Sequence, residues 1–129
     1  MKSKIIAFDL DDTLCYRETK KIGIEKYYEC KPIPEMIAVA NSCYDDGASI
    51  IIYTARGMST FGGDVSLIYS NLYELTSRQL KEWGVKYDQL VMGKLHYDLL
   101  IDDKVKSSFK IKDKRDIQSG LKNEKNNSL

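Results

Sequence analysis

Three short apolar runs, each closed by a polar residue, restrict the fold of this chain more than anything else in it. They are Ile5, Ile6, Ala7 and Phe8 before Asp9; Ile50, Ile51, Ile52 and Tyr53 before Thr54; and Leu99, Leu100 and Ile101 before Asp102. Continuous apolar runs of this length read as strands buried on both faces. A weaker fourth run, Gln89–Met92, leads into Gly93 and Lys94. Between the first two runs Pro34 suits a first helical position, Met36, Val39, Ala40 and Cys43 share helical spacing, and Gly47 suits the end. Between the second and third, Asp64 or Ser66 caps a longer helix whose inner stripe holds Ile68, Leu72, Leu75, Leu80 and Trp83, closed by Gly84. Strands alternating with helices predict an α/β protein, a three-layer Rossmann-like fold with a parallel sheet and right-handed crossovers.

A chain of 129 residues fits one domain. The expectation is a catalytic domain over 1–112 and a basic polar tail over 113–129, disordered in its last ten residues from Gly120. With 20 Lys plus Arg against 19 Asp plus Glu, net charge points to neither a nucleic-acid partner nor a membrane surface. Asp9 cuts the first apolar stretch short of a signal-peptide core, and no apolar run is long enough to cross a bilayer, so the expected location is cytoplasmic. Cys15, Cys30 and Cys43 are an odd count without a CxxC pair, which favours buried thiols over a disulfide framework. A zinc site from these three and His96 lacks ligand spacing.

Open parallel sheets bind ligands beyond the carboxyl ends of their strands. That rule gathers Asp9, Asp11, Thr54, Asp102 and Asp103 in one pocket, with Lys94 entering from the loop after the weaker strand. Asp9 and Asp11 stand two apart, so in an extended segment they face one side, and their mutual repulsion calls for a cation or a proton. Each residue also has an ordinary reading: Asp11, Asp12 and Thr13 as turn formers, Asp102 and Asp103 as a helix cap, Thr54 as a strand residue, Lys94 as a solvated loop lysine. Arg56 has two open roles, contact with an anionic substrate group or a structural ion pair. His96 reads as a surface or loop histidine.

In chain order, Asp9-x-Asp11-x-Thr13, Thr54-Ala55-Arg56, the lone Lys94 and Asp102-Asp103, each set by an apolar strand, resemble the four motifs of the haloacid dehalogenase superfamily over roughly 4–105. Tyr53-Thr54-Ala55-Arg56-Gly57-Met58 and the short chain further resemble its small capless phosphatases associated with capsular polysaccharide and other sugar biosynthesis. The resemblance implies a phosphomonoesterase acting on a small phosphorylated metabolite, with a sugar phosphate as the expected class. It implies Asp9 as the nucleophile that becomes an aspartyl-phosphate, Asp11 as general acid and then base, and Thr54 and Lys94 as phosphate contacts alongside Arg56. It also implies one Mg²⁺ on the Asp9 side chain, the Asp11 carbonyl and Asp102 or Asp103. Two rivals stand beside it: a phosphotransferase or mutase with the same nucleophile, and a signalling receiver. Receivers carry the accepting Asp on a middle strand, whereas here the middle strand ends in Thr54.

Neither 15–31 nor 55–93 leaves room for an inserted cap domain, so the expected pocket is open. The 15–31 segment suits a hairpin-like flap. The loop 57–64, with Gly57, Gly62 and Gly63, is longer than most strand-to-helix links. Its Met58 and Phe61 face either a substrate or their own protein, with neither reading favoured. An open site on so small a body suggests completion by a neighbouring subunit, hence a homo-oligomer.

Overall fold

The computed structural model describes residues 1–122. Strand β1 (Ile5–Phe8) is followed by a two-stranded ribbon, β2 (Cys15–Tyr16) and β3 (Lys31–Pro32), enclosing a 3₁₀ segment at Gly23–Glu29. Then come helix α1 (Pro34–Asp45), strand β4 (Ser49–Thr54), helix α2 (Val65–Glu82), strand β5 (Gln89–Met92) and helix α3 (Lys114–Lys122). The main sheet is parallel, ordered β1-β4-β5, with Phe8 opposite Ile52 and Thr54 opposite Met92. This is an α/β fold consistent with a Rossmann-like arrangement.

Local sequence accounts for the helix ends. Pro34 opens α1, and the Asp64 carboxylate caps α2 by accepting the Leu67 N–H at 3.2 Å. Helix α2 turns Ile68, Leu72 and Leu80 fully inward against a core that holds Ile50, Ile52, Leu10 and Leu14. Burying each such side chain contributes about 1.5–3 kcal/mol.

Three expectations are corrected. Residues 99–101 form no strand: Leu99, Leu100 and Ile101 are 76%, 45% and 88% exposed. The first two runs are strands, but not buried on both faces: Ile50, Ile52 and Thr54 are buried while Tyr53 is 37% exposed, and Ile5 is 69% exposed at a sheet edge. Among the described residues no strand lies beyond β1, so nothing in the sheet covers that edge. The polar segment after 112 is helical through Lys122; α3 packs on α1, Ile117 meets the core, and the Lys114 ammonium lies 3.7 Å from Asp46 Oδ2. The disorder expected from Gly120 therefore fails for 120–122, and its remainder lies outside the described residues. Among the described residues no helix is long and apolar enough to cross a membrane.

Candidate active site

The parallel register brings the ends of β1, β4 and β5 to one side of the sheet, so Asp9, Thr54 and Lys94 meet there. The Lys94 N–H donates to the Thr54 carbonyl at 3.1 Å, which fixes the backbone from which its side chain reaches back across the sheet. Its ammonium lies 3.4 Å from Asp9 Oδ1 and over the Tyr53 and Tyr97 rings, 5.9 and 5.5 Å from their centroids. Thr13 Oγ1 donates to Asp9 Oδ2 at 3.5 Å. The Asp9 side chain keeps 40% of its surface exposed, so a ligand can approach it. Thr54 is buried at 1%, and its Oγ1 accepts the Arg56 N–H at 3.1 Å.

Beyond Asp9 the chain turns sharply. The N–H groups of Thr13, Leu14 and Cys15 all point to the Leu10 carbonyl, and Asp12 takes a left-handed φ of 68°, a conformation aspartate tolerates. This turn sends Asp11 to partners that Asp9 does not share. Asp11 Oδ1 and Oδ2 accept from Arg56 Nε at 3.3 and 3.1 Å, and Oδ1 also accepts from Arg56 Nη2 at 3.1 Å. Arg17 adds a second guanidinium at 3.4 Å. The Cys15 and Cys30 thiols donate to Asp11 Oδ1 at 3.4 and 3.6 Å. Two acidic residues that begin as equivalent neighbours thus acquire different surroundings.

Arg56 is the centre of this second cluster. Its side chain is fully buried, its Nη1 donates to Thr76 Oγ1 at 3.1 Å and Gln79 Oε1 at 2.7 Å, and its guanidinium lies 4.9 Å from the Tyr27 ring centroid. Burial works against its charge, but the Asp11 carboxylate more than offsets that and holds the guanidinium above its ordinary value. Tyr27 ties the ribbon down: its carbonyl accepts from Gln79 Nε2 at 2.7 Å and its hydroxyl from the Gly57 N–H at 3.0 Å. Burial raises the Tyr27 phenol. The closeness of the two sulfurs raises Cys15, with burial adding to it, and lowers Cys30, with Arg56 adding to that.

Of the two roles open to Arg56, the structure contains the ion pair: its donors are spent on Asp11, Thr76 and Gln79 rather than presented to solvent. Met58 and Phe61 likewise pack on the core. His96 is exposed, with Nδ1 3.1 Å from Ser59 Oγ. Cys43 sits on α1 and does not join Cys15 and Cys30. Asp102 and Asp103 are exposed in an irregular segment, where Asp102 Oδ1 accepts the Lys104 N–H at 3.1 Å. That bond, followed by one from Asp103, lowers the Asp102 carboxyl.

The magnesium expectation meets a geometric test here. Opposite ligands of an octahedral Mg²⁺ stand about 4.2 Å apart. Among the described residues, the one set of three ligand side chains within 4.8 Å is Asp11, Cys15 and Cys30, and there the Arg56 guanidinium already fills the place of a cation. The side chains of Asp9, Asp102 and Asp103 do not form a second set of three within that reach.

The sequence reading missed Tyr27, Thr76, Gln79 and the thiol pair as parts of the site. One signal was there: Thr76 and Gln79 fall on the apolar stripe of α2, at helical spacing from Leu72 and Leu75. Polar side chains in a buried stripe require a buried partner.

No family model and no curated protein matches the chain. Among solved structures it is similar to a crystal structure of a Vibrio cholerae target described without a function. The two share 26% identity at a TM-score of 0.76, over 92% of this chain and 98% of that one. This supports the α/β fold and names no activity.

Proposed function

We propose that this chain is a phosphomonoesterase of the capless haloacid dehalogenase type, acting on a small phosphorylated metabolite, with a sugar phosphate as the preferred class. The observation that carries the reading is the Lys94 ammonium 3.4 Å from the half-exposed Asp9 carboxylate, at the carboxyl ends of three adjacent parallel strands. Asp9 attacks phosphorus, the alcohol leaves, and water hydrolyses the aspartyl-phosphate. Lys94 offsets the charge of the carboxylate and the phosphate it approaches, as a point charge rather than a fork. Thr13 is the hydrogen-bonding partner for phosphate oxygens at this end of the sheet in this reading, and the Thr54 hydroxyl, 1% exposed, joins it once the site opens.

Asp11 is the proton carrier in this reading, and its surroundings set a condition on that role. A carboxylate paired with two guanidinium groups is held ionised, and loosening one of those pairs eases its protonation. Arg17, 27% exposed and the more solvated of the two, is the partner that releases. Magnesium is proposed only on the oxygen chemistry of the Asp9 side chain, the Asp11 carbonyl and Asp102 or Asp103, and the steps above do not pass through it. Activity that survives exhaustive chelation removes it from the proposal. A homo-oligomer is likewise proposed, and a monomer by light scattering removes it.

The decisive experiment is Asp9→Asn, assayed with an aryl phosphate. The expected outcome is loss of hydrolysis by about a thousandfold or more at unchanged melting temperature. Hydrolysis at the wild-type rate would falsify the nucleophile. Release of phosphate onto an added alcohol instead of water marks the phosphotransferase alternative.

A further inference from the structure

We propose that Cys15 and Cys30 form a modification site, a dithiol that a peroxide oxidises to a disulfide, closing the 15–31 ribbon and altering the hydrogen bonding of Asp11. Three observations place the sulfurs together. Their Sγ atoms and a carboxylate oxygen of Asp11 all lie within 4.8 Å of one another. Both thiols donate to the same oxygen, Asp11 Oδ1, at 3.4 and 3.6 Å. Both accept from the same donor, Arg56 Nη2, at 3.7 and 3.5 Å. The ribbon register explains this: Cys15 pairs with Pro32, and Cys30, two residues before Pro32 in extended backbone, shares the face of Cys15.

A disulfide needs the sulfurs at about 2.0 Å. Reaching that from diagonal positions takes side-chain rotation and a backbone shift, in a ribbon whose strands are only two residues long. Both cysteines are buried, Cys15 completely and Cys30 with 9% of its residue surface exposed. Cys30 therefore reacts first. Its sulfur attacks one peroxide oxygen as the O–O bond breaks, giving a sulfenic acid and a water. The Cys15 sulfur then attacks the sulfenic sulfur; the S–S bond forms, the S–O bond breaks, and the hydroxyl departs as water with the Cys15 proton. The two sulfurs lose two electrons, and one hydrogen peroxide becomes two waters.

The same groups argue against a bound soft cation here. Its position between Asp11, Cys15 and Cys30 is taken by the buried guanidinium, whose neighbours Thr76 and Gln79 hold it there. Oxidation, by contrast, leaves Arg56 and Asp11 in place and removes the two S–H donors from Asp11 Oδ1. The effect on catalysis rests on the phosphatase reading; the cross-link does not.

The test treats the native full-length chain with hydrogen peroxide, unfolds it, alkylates free thiols and maps the peptides without reduction. The expected result is one peptide pair joining Cys15 to Cys30 with the loss of two hydrogens, Cys43 alkylated, and full reversal by dithiothreitol. Recovery of Cys15 and Cys30 as alkylated thiols, as sulfinic or sulfonic acids, or joined to Cys43 or to another chain overturns the proposal. A Cys43→Ser chain gives the same cross-link. Aryl-phosphate hydrolysis is expected to fall several-fold on oxidation and to return with reductant. Full activity in a fully cross-linked chain overturns the link to Asp11. A chain that hydrolyses nothing in either state counts against the phosphatase reading and leaves the mapping result standing.

Discussion

Asp11 and Asp102 begin alike, each in an acidic pair or near-pair just past a short apolar run, and they end in opposite surroundings. The run before Asp9 pairs along its whole length with β4, and the turn after it delivers Asp11 to two guanidinium groups and two thiols. The run before Asp102 pairs with nothing in the sheet; its apolar side chains are exposed, and Asp102 satisfies itself on the Lys104 N–H of its own turn. The same residue pattern therefore gives a strand end only where a neighbouring strand supplies a ladder and a core supplies burial. A carboxylate's role follows from those neighbours rather than from its place in a motif.

The sharpest way to break this comparison is to remove the partner of Asp11. Arg56→Met keeps the apolar stem but leaves Asp11, only 18% exposed, to Arg17 alone, with Thr76 and Gln79 facing an apolar group. Breaking a buried pair from one side costs about 3–5 kcal/mol, and the urea midpoint is expected to fall accordingly at unchanged slope. Asp102→Asn, by the same measurement, is expected to stay within about 0.5 kcal/mol. Equal losses in the two variants would erase the distinction.

A middle-sized effect is expected at Gly57, where the ribbon meets α2. Its φ is +80°, and a Cβ there would stand 2.7 Å from Leu72 Cδ1, while its N–H is held by the Tyr27 hydroxyl. Gly57→Ala combines strain with overpacking and is expected to cost about 1–3 kcal/mol by thermal melting. Gly62→Ala in the same loop meets nothing within 4 Å and also has positive φ, so it isolates the strain component. Similar losses at both sites would show that crowding against Leu72 contributes little.

Helices α1 and α2 and three of the strands were legible because their signals are local: Pro34 and Asp64 mark starts, the stripe of α2 marks a buried face, and Gln89–Met92 forms a strand just where the run indicates. The meeting of Asp9, Thr54 and Lys94 was legible as well, since parallel topology alone brings strand ends together. Arg56 was legible only as a pair of alternatives, because its partners come from five places in the chain, at 11, 15, 30, 76 and 79. The 99–101 run misled for the complementary reason. Apolar composition reports a capacity for burial, and whether a neighbour is present to provide it is a property of the whole fold.

Ile101 offers the smallest and most discriminating test. At 88% exposure it has little burial to lose, so Ile101→Ser without added metal is expected to shift stability by no more than about 0.5 kcal/mol. If magnesium draws Asp102 toward Asp9, Ile101 is carried with it and loses exposure, and the serine then costs more. Binding that favours one arrangement stabilises it in proportion to occupancy, so magnesium should raise the melting temperature of the wild-type chain more than that of the variant. Equal shifts mean that metal binds without moving this segment, and no shift in either chain removes magnesium from Asp102 altogether.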